Sequence, residues 1–271
     1  VEVSLENGGR IVCRNRFRDL LRRAGFLRLR GVMDYAEGDL LRGQGFKTVH
    51  RIRLGEGRFY LKRFRYPWLP VAILGALKLN PAVLGGMREW ENIRRVARLG
   101  IPTALPVAAG DARGLRWERE GFVLTREIEG AEPLDQYLMR RRGDKGFLAE
   151  KLDLLGKVAH IVRRLHGADL FHRDLYLCHF LVRPPNGQEG SRVYLIDLQR
   201  VRRPRVRRRR WQIKDLAALN YSAPREIVGL RDRLRFFKAY LGVDRLDVRA
   251  RRLAGAVLRK SRRLALHGTK G

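Results

Sequence analysis

The stretch FHRDLYLCHFLV, residues 171–182, sets His172, Arg173 and Asp174 side by side, then Cys178 and His179, just ahead of an apolar run. A buried strand has no use for that polarity, and a solvated loop has no use for that hydrophobicity. The spacing predicts a loop that carries chemistry, pinned at its far end by a strand. Three further polar positions fall at the ends or interiors of predicted elements: Lys62 closing a strand, Glu89 inside the next helix, and Asp197 after a short strand. An amine and three carboxylates can carry charge and move protons.

The order Lys62, Glu89, Asp174, Asp197 resembles that of the protein-kinase-like phosphotransferases. HRDLYLCH agrees with the catalytic-loop signature H-R-D-L-x-x-x-N through its first four residues, with His179 where Asn is expected. FYLKRF is similar to the strand that holds the phosphate-binding lysine, and IDLQR stands where a metal-binding Asp-Phe-Gly lies. The resemblance implies phosphoryl transfer from ATP with Mg²⁺, which asks for positioning and charge neutralisation rather than covalent work. It casts Lys62 as the holder of the α- and β-phosphates and Glu89 as its partner. Asp174 becomes the acceptor of the attacking hydroxyl's proton. Gly43, Gly45 and Glu127 join Lys62 and Glu89 as nucleotide-binding positions.

Asp197 and His179 are the implied metal positions. Carboxylate oxygen suits hard Mg²⁺. Imidazole suits it less, so His179 either holds a second metal weakly or binds phosphate. Glu91 competes with Glu89 for the lysine, but helical geometry separates them by about 200°, so only one can face the site. Glu89 follows apolar Met87 and sits three and four residues before Asn92 and Ile93, and is preferred. His166 and His172 read as structural hydrogen-bonders and Cys178 as a small buried side chain.

The wording HRDLYLCHFLV is similar to the HRDCYICHFLL of the lipopolysaccharide core heptose kinases, the Kdo/WaaP family. The likeness extends to GGMREWENIRRVARLGIPT, VYLIDLQRVR, RRWQIKDLAALNYSA and GLRDRLRFFKAYL, covering roughly residues 40–242. The His in place of Asn belongs to that pattern. The resemblance implies ATP-dependent phosphorylation of a heptose hydroxyl in the inner core, by an enzyme peripheral to the cytoplasmic face of the inner membrane. Asp215, in KDLAAL, matches an Asp that braces the catalytic loop from a helix.

The elements that must position these residues can be read from the pattern. Residues 1–14 suggest a hairpin turning at Asn7-Gly8-Gly9. Residues 15–24 have helical spacing with Phe17, Leu20 and Leu21 on one face. A glycine-bearing turn, Gly43-Gln44-Gly45, precedes two strands joined at Gly55-Glu56-Gly57. Residues 83–99 read as a helix stopped by Gly100 and Pro102, and 121–130 as a buried strand leaving into a linker. A long amphipathic helix (149–170) leads into the polar loop, followed by two short apolar strands and then helices. The plan is α+β, a two-lobed protein-kinase-like fold with a small β-rich N-lobe and a mainly helical C-lobe. The boundary is expected near residue 126, with residues 127–271 forming the catalytic lobe and its helical basic tail.

Of 271 residues, 59 are basic and 28 acidic, for a net charge of +31. Coding bias can favour Arg over Lys but not basic over acidic, so a polyanionic partner is expected: nucleic acid, or an anionic membrane and its phosphorylated lipids. The run RVRRPRVRRRRW (200–211) holds eight arginines and follows Asp197 directly. Arg207, Arg208, Arg209 and Arg210 are expected to meet the carboxylates and phosphates of inner-core lipopolysaccharide. Residues 66–86 carry one charge, Lys78, and suit a buried helix or a surface for lipid or a carrier protein. No run of eighteen apolar residues is present, so no membrane span is expected. The N-terminal VEVSLENGG lacks the form of a secretory signal, and two distant cysteines suit a reducing compartment. Two rivals remain: a kinase of the same superfamily acting on Kdo, another small molecule or a protein, and a basic nucleic-acid-binding protein. The second rival is disfavoured by the absence of RNP aromatics, zinc fingers or a basic zipper.

Overall fold

The computed structural model describes residues 2–4, 10–44, 46–66, 85–113, 119–186 and 190–268. It divides into two units, Val1–Arg95 with Ala104–Ile128, and Val96–Thr103 with Glu129–Gly271. The expected turn at Asn7-Gly8-Gly9, Gly45, and nearly all of the low-charge stretch 66–86 lie outside the described residues.

In the first unit β1 (Glu2–Ser4), β2 (Arg10–Cys13), β3 (Asp39–Gln44), β4 (Lys47–Leu54), β5 (Gly57–Tyr66), β6 (Pro106–Arg113) and β7 (Arg119–Arg126) form one sheet. Its order is β1-β2-β6-β7-β5-β4-β3, and every pairing is antiparallel. Strand alternation sorts β5 into two faces. Phe59 and Leu61 join Ile52, Leu54, Phe122 and Leu124 in one core, closed by Leu21 of α1 (Arg18–Arg23) and by Phe26. Each such side chain contributes roughly 1.5–3 kcal/mol by burial. Phe64 points the other way and packs with Val123 and with Trp90 of the helix that follows the sheet's middle strands. Lys62 shares its strand parity with Phe64 and pairs across the ladder with Val123, so it belongs to that second face.

The short helix α2 (Leu29–Met33) packs against β6 and β7 in the middle of the sheet, and α3 (Gly86–Arg98) carries Trp90. Gly86 lies so close to β7 that a Cβ there would stand 1.6 Å from the carbonyl oxygen of Phe122, so only glycine fits. The first turn is capped by Asp111 of β6, which accepts from the Gly86 N–H at 2.8 Å and the Met87 N–H at 3.3 Å. Burial pushes the Asp111 carboxyl up to about 6 against those two bonds. The buried residues Glu89, Trp90, Ile93 and Val96 recur at helical spacing, while Glu91 is exposed. Gly100, at φ 68°, ends the segment as the sequence predicts.

One expectation is corrected here. Gly43 and Gln44 are not turn residues; they lie in β3, opposite Thr48 and Lys47, because the ladder with β4 continues to that pair.

The second unit is mainly helical. β8 (Glu132–Pro133), β9 (Phe180–Arg183) and β10 (Arg192–Leu195) make a small antiparallel sheet in the order β10-β9-β8. Around it stand α4 (Leu134–Arg140), α5 (Phe147–Gly167), α6 (Arg208–Ser222), α7 (Leu230–Leu241) and α8 (Val248–Gly268). Leu154, Val158, Ile161, Val162 and Leu165 give α5 a buried stripe at the 3.6-residue period. A buried Lys151–Asp232 bond of 2.8 Å ties α5 to α7.

Candidate functional site

Within the first unit, the Lys62 Nζ donates to Glu89 Oε1 at 2.6 Å. The glutamate is 2% exposed and the lysine 15%. This decides between the two glutamates, since exposed Glu91 points away. The second oxygen of Glu89 is buried without a hydrogen-bond partner among the described residues. Glu127 lies just past β7 with its carboxylate taken up by arginine: Arg51 Nη2 at 2.8 Å and Arg58 Nε at 3.7 Å. Gly43 is exposed in β3, where a Cβ would meet only Leu40 Cδ2, at 3.9 Å.

Within the second unit, the polar loop alternates as its sequence suggests. Phe171, Leu175, Leu177, Phe180 and Val182 are buried, while Arg173, Asp174, Tyr176 and His179 are partly open to solvent. Contacts from several elements hold its backbone. Phe171 and Arg202 exchange N–H···O bonds of 2.9 and 3.0 Å. Asp215, fully buried on α6, accepts from the N–H of His172 and of Arg173, both at 2.7 Å. The Leu177 N–H donates to Ser222 Oγ at 2.8 Å. Arg173 is left-handed at φ 70°, a conformation costing a non-glycine residue of order 1–3 kcal/mol, and the Asp215 bond holds it there. Asp215 is thus the brace the sequence implies, and His166 Nε2, 3.3 Å from it, is structural too.

Removing that brace leaves two buried N–H groups without acceptors. Asp215→Ala is therefore expected to cost about 3–5 kcal/mol of folding stability. Chemical denaturation of the variant checks it; a loss under about 1 kcal/mol would show that the brace is dispensable.

His172 is fully buried and donates through Nε2 to the Ile196 carbonyl at 3.1 Å. Burial holds its imidazole below the usual histidine range, more strongly than nearby Asp215 raises it. His179 Nδ1 lies 2.7 Å from the Asp174 carbonyl, to which it donates, so in the neutral ring Nε2 keeps a lone pair. That nitrogen is 3.7 Å from Asp197 Oδ2. A lone pair facing a carboxylate is an arrangement that a shared cation relieves. Asp197 itself is left-handed, at φ 57°, between β10 and a short turn Leu198–Arg200. Among the described residues no group of three or more His, Cys, Asp or Glu side chains converges as a metal cluster.

Asp174 brings in residues that spacing alone does not mark. Arg200 Nη1 donates to its Oδ2 at 3.0 Å. Lys214 Nζ donates to the Arg173 carbonyl; burial lowers its pKa, while Asp174 and Asp215 pull the other way. Trp211 gathers cations over its ring: Arg173 Cζ at 4.3 Å, Lys214 Nζ at 5.8 Å and Arg210 Cζ at 5.9 Å. Cys178 departs from expectation: it is exposed, because Leu177 takes the inward position of the 3-10 turn Leu177–His179.

Arg207 stands at φ 58° just ahead of α6, and Arg208, Arg209 and Arg210 form its first turn. All four are exposed. Arg208 pairs with Asp169 at 2.9 Å. The first turn itself contains no acidic residue and no side-chain cap, at a helix start where the dipole is already positive.

Residues 76–240 match the family described as Lipopolysaccharide kinase (Kdo/WaaP) family. The lipopolysaccharide core heptose(I) kinase WaaP of Escherichia coli (strain K12) is 32% identical over 222 residues, covering 79% of this chain and 83% of that protein. Its namesake from Pseudomonas aeruginosa is 34% identical over 199 residues, covering 73% and 74%. Among solved structures, WaaP in complex with acyl carrier protein is similar with a TM-score of 0.70 at 27% identity, covering 94% of this chain and 97% of the other.

Proposed function

The chain belongs to the lipopolysaccharide kinase (Kdo/WaaP) family, and on that premise we propose that it transfers the γ-phosphoryl group of ATP to a heptose hydroxyl of the lipopolysaccharide inner core. The observation that carries this reading is the Lys62–Glu89 pair. Burying a carboxylate to 2% exposure costs desolvation that a purely structural ion pair seldom repays, whereas a lysine held still for phosphate binding requires it.

Each residue then has a task. Lys62, fixed by Glu89, neutralises the α- and β-phosphates. Gly43, Gly45 and Glu127 belong to the nucleotide-binding set. Asp174 orients the acceptor hydroxyl and takes its proton, and Arg200 holds one of its oxygens so that the other faces the acceptor. Asp197 would hold a magnesium ion through its hard carboxylate oxygen, with the facing His179 lone pair as the weaker donor. When bound, Mg²⁺ supplies charge neutralisation on the phosphates.

Arg207 to Arg210 are proposed to engage the acceptor's acidic groups. No helix among the described residues is long and apolar enough to cross a membrane. A peripheral position at the cytoplasmic face of the inner membrane is the corresponding proposal. An acyl carrier protein, the partner in the similar solved complex, is proposed as a partner here too. The rival superfamily reading places the phosphate on Kdo, another small molecule or a protein.

Incubation with labelled ATP, Mg²⁺ and defined core glycolipids, followed by mass spectrometry of the product, separates these readings. The expected product carries one new phosphate on heptose. Phosphate found only on Kdo or on protein would move the acceptor assignment to the rival.

A further inference from the structure

The arginine run reads as one block in the sequence, but the helix divides it. Along α6, positions 210, 211 and 214 share one side, and Arg210, Trp211 and Lys214 gather there beside Arg173. Positions 208, 209 and 212 centre about 160° away around the helix. Arg208, Arg209 and Gln212 line a cavity of about 570 Å³ on that side, together with Arg245 and Arg249. Arg245 lies in the connection between α7 and α8, and Arg249 lies in the first turn of α8. Two carboxylates also line the cavity, and both are engaged. Asp169 pairs with Arg208 at 2.9 Å, and Asp247 Oδ1 accepts from the Ala250 N–H at 2.7 Å. Four guanidinium groups against two occupied carboxylates leave the cavity net positive. No ion pair holds Arg209, Arg245 or Arg249 among the described residues.

Like charges collected from three separate segments around one hollow repel each other, and the fold gains nothing from bringing them together. All four arginines are exposed to solvent, yet they share the wall of one hollow. Here they line a space large enough for a phosphate and the sugar that bears it. Guanidinium forks match oxyanions bidentately, and a partly enclosed hollow strengthens that match over open solvent.

We propose that this cavity, whose wall includes Phe171 at the start of the Asp174 loop, binds an oxyanion, a phosphate or carboxylate, of the acceptor glycolipid at a point that Asp174 itself does not line. The proposal rests on the reading of the acceptor given above. It makes the arginine run two sites. Arg210 stands with Trp211 and Lys214 beside the transfer loop, while Arg208 and Arg209 join Arg245 and Arg249 in an anchoring site. Anchoring an acidic group of the glycolipid here would raise acceptor affinity without touching the phosphoryl group being moved.

The test uses the full chain and the double variant Arg245→Gln/Arg249→Gln, neither residue being part of the transfer machinery. A control, Arg259→Gln/Arg262→Gln, removes the same charge from exposed positions of α8. Binding is measured without ATP, by co-sedimentation with phosphatidylcholine vesicles containing core glycolipid. Parallel arms use phosphatidylcholine–phosphatidylglycerol vesicles and inorganic phosphate. The cavity variant is expected to bind glycolipid vesicles about tenfold or more weakly, as for loss of two charge-assisted contacts, with its melting temperature kept. The control should bind within about twofold of wild type.

Equal weakening by both variants would reduce the site to general surface charge and overturn the proposal. Weakening confined to phosphatidylglycerol vesicles would assign the cavity to bulk lipid headgroups, and weakening confined to inorganic phosphate would leave it a free-phosphate site; either overturns the glycolipid assignment. Because no turnover is involved, loss of glycolipid binding in a protein that fails to phosphorylate heptose would keep the site and sink the kinase reading. Transfer to heptose with unchanged vesicle binding would do the reverse.

Discussion

Asp174→Asn is expected to lower kcat for heptose phosphorylation by a factor of about 10²–10⁴, the range a positioned proton acceptor supplies, with the KM for ATP nearly unchanged. The loop holds its shape without the carboxylate. The N–H groups of His172 and Arg173 are held by Asp215, and the Asp174 carbonyl accepts from His179 Nδ1 at 2.7 Å. None of these bonds uses the Asp174 side chain. An amide of the same shape can still accept the Arg200 bond, now 3.0 Å long, so loop geometry should survive. What the amide lacks is basicity. Single-turnover phosphate transfer, with circular dichroism and melting temperature as controls, gives the measurement. A folded variant turning over within about threefold of wild type would mean that Asp174 neither accepts the proton nor orients the hydroxyl.

The sequence makes this loop legible because its two requirements leave opposite marks. Phe171, Leu175, Leu177 and Phe180 must be buried, and Arg173, Asp174 and His179 must not, so apart from buried His172 and exposed Cys178 the pattern of burial appears as a pattern of residue types. The Lys62 strand is legible for a similar reason. Alternation along FYLKRF sends Leu61 to one core and Lys62 with Phe64 to the opposite face, and helical period then selects Glu89 over Glu91.

What stays hidden depends on pairing across distance or on register. Asp111 caps α3 from a strand some 25 residues further on, and a single aspartate among 28 acidic residues carries no mark of that task. Arg200 and Lys214 reach Asp174 or its neighbour from separate elements, 26 and about 40 residues away along the chain. Gly43 looks like a turn residue because glycine favours turns, yet the ladder between β3 and β4 runs past it. The arginine run is the clearest case. Composition shows one block of charge, and only the 3.6-residue period of α6 shows that Arg208 and Arg210 address different surroundings.

Stability and activity should separate cleanly at Lys62. Lys62→Met leaves the Glu89 carboxylate buried and without its cation, and breaking a buried pair in this way costs about 3–5 kcal/mol. The double variant Lys62→Met/Glu89→Leu removes both charges and fills the space with apolar groups, next to Phe64, Trp90 and Val123. Apolar replacement of a buried pair is often neutral for stability, so the double variant should recover most of what the single variant loses, a coupling of roughly 2–3 kcal/mol in denaturant titrations. Activity should follow the opposite course. Neither protein presents an amine to the nucleotide phosphates, so both should transfer phosphate at less than about a hundredth of the wild-type rate. Lys62→Arg keeps the charge but not the compact ammonium held at 2.6 Å, and should fold well while remaining strongly impaired. A restored double variant that still phosphorylates the glycolipid would show the pair to be architecture alone, and the kinase reading would lose the observation on which it chiefly stands.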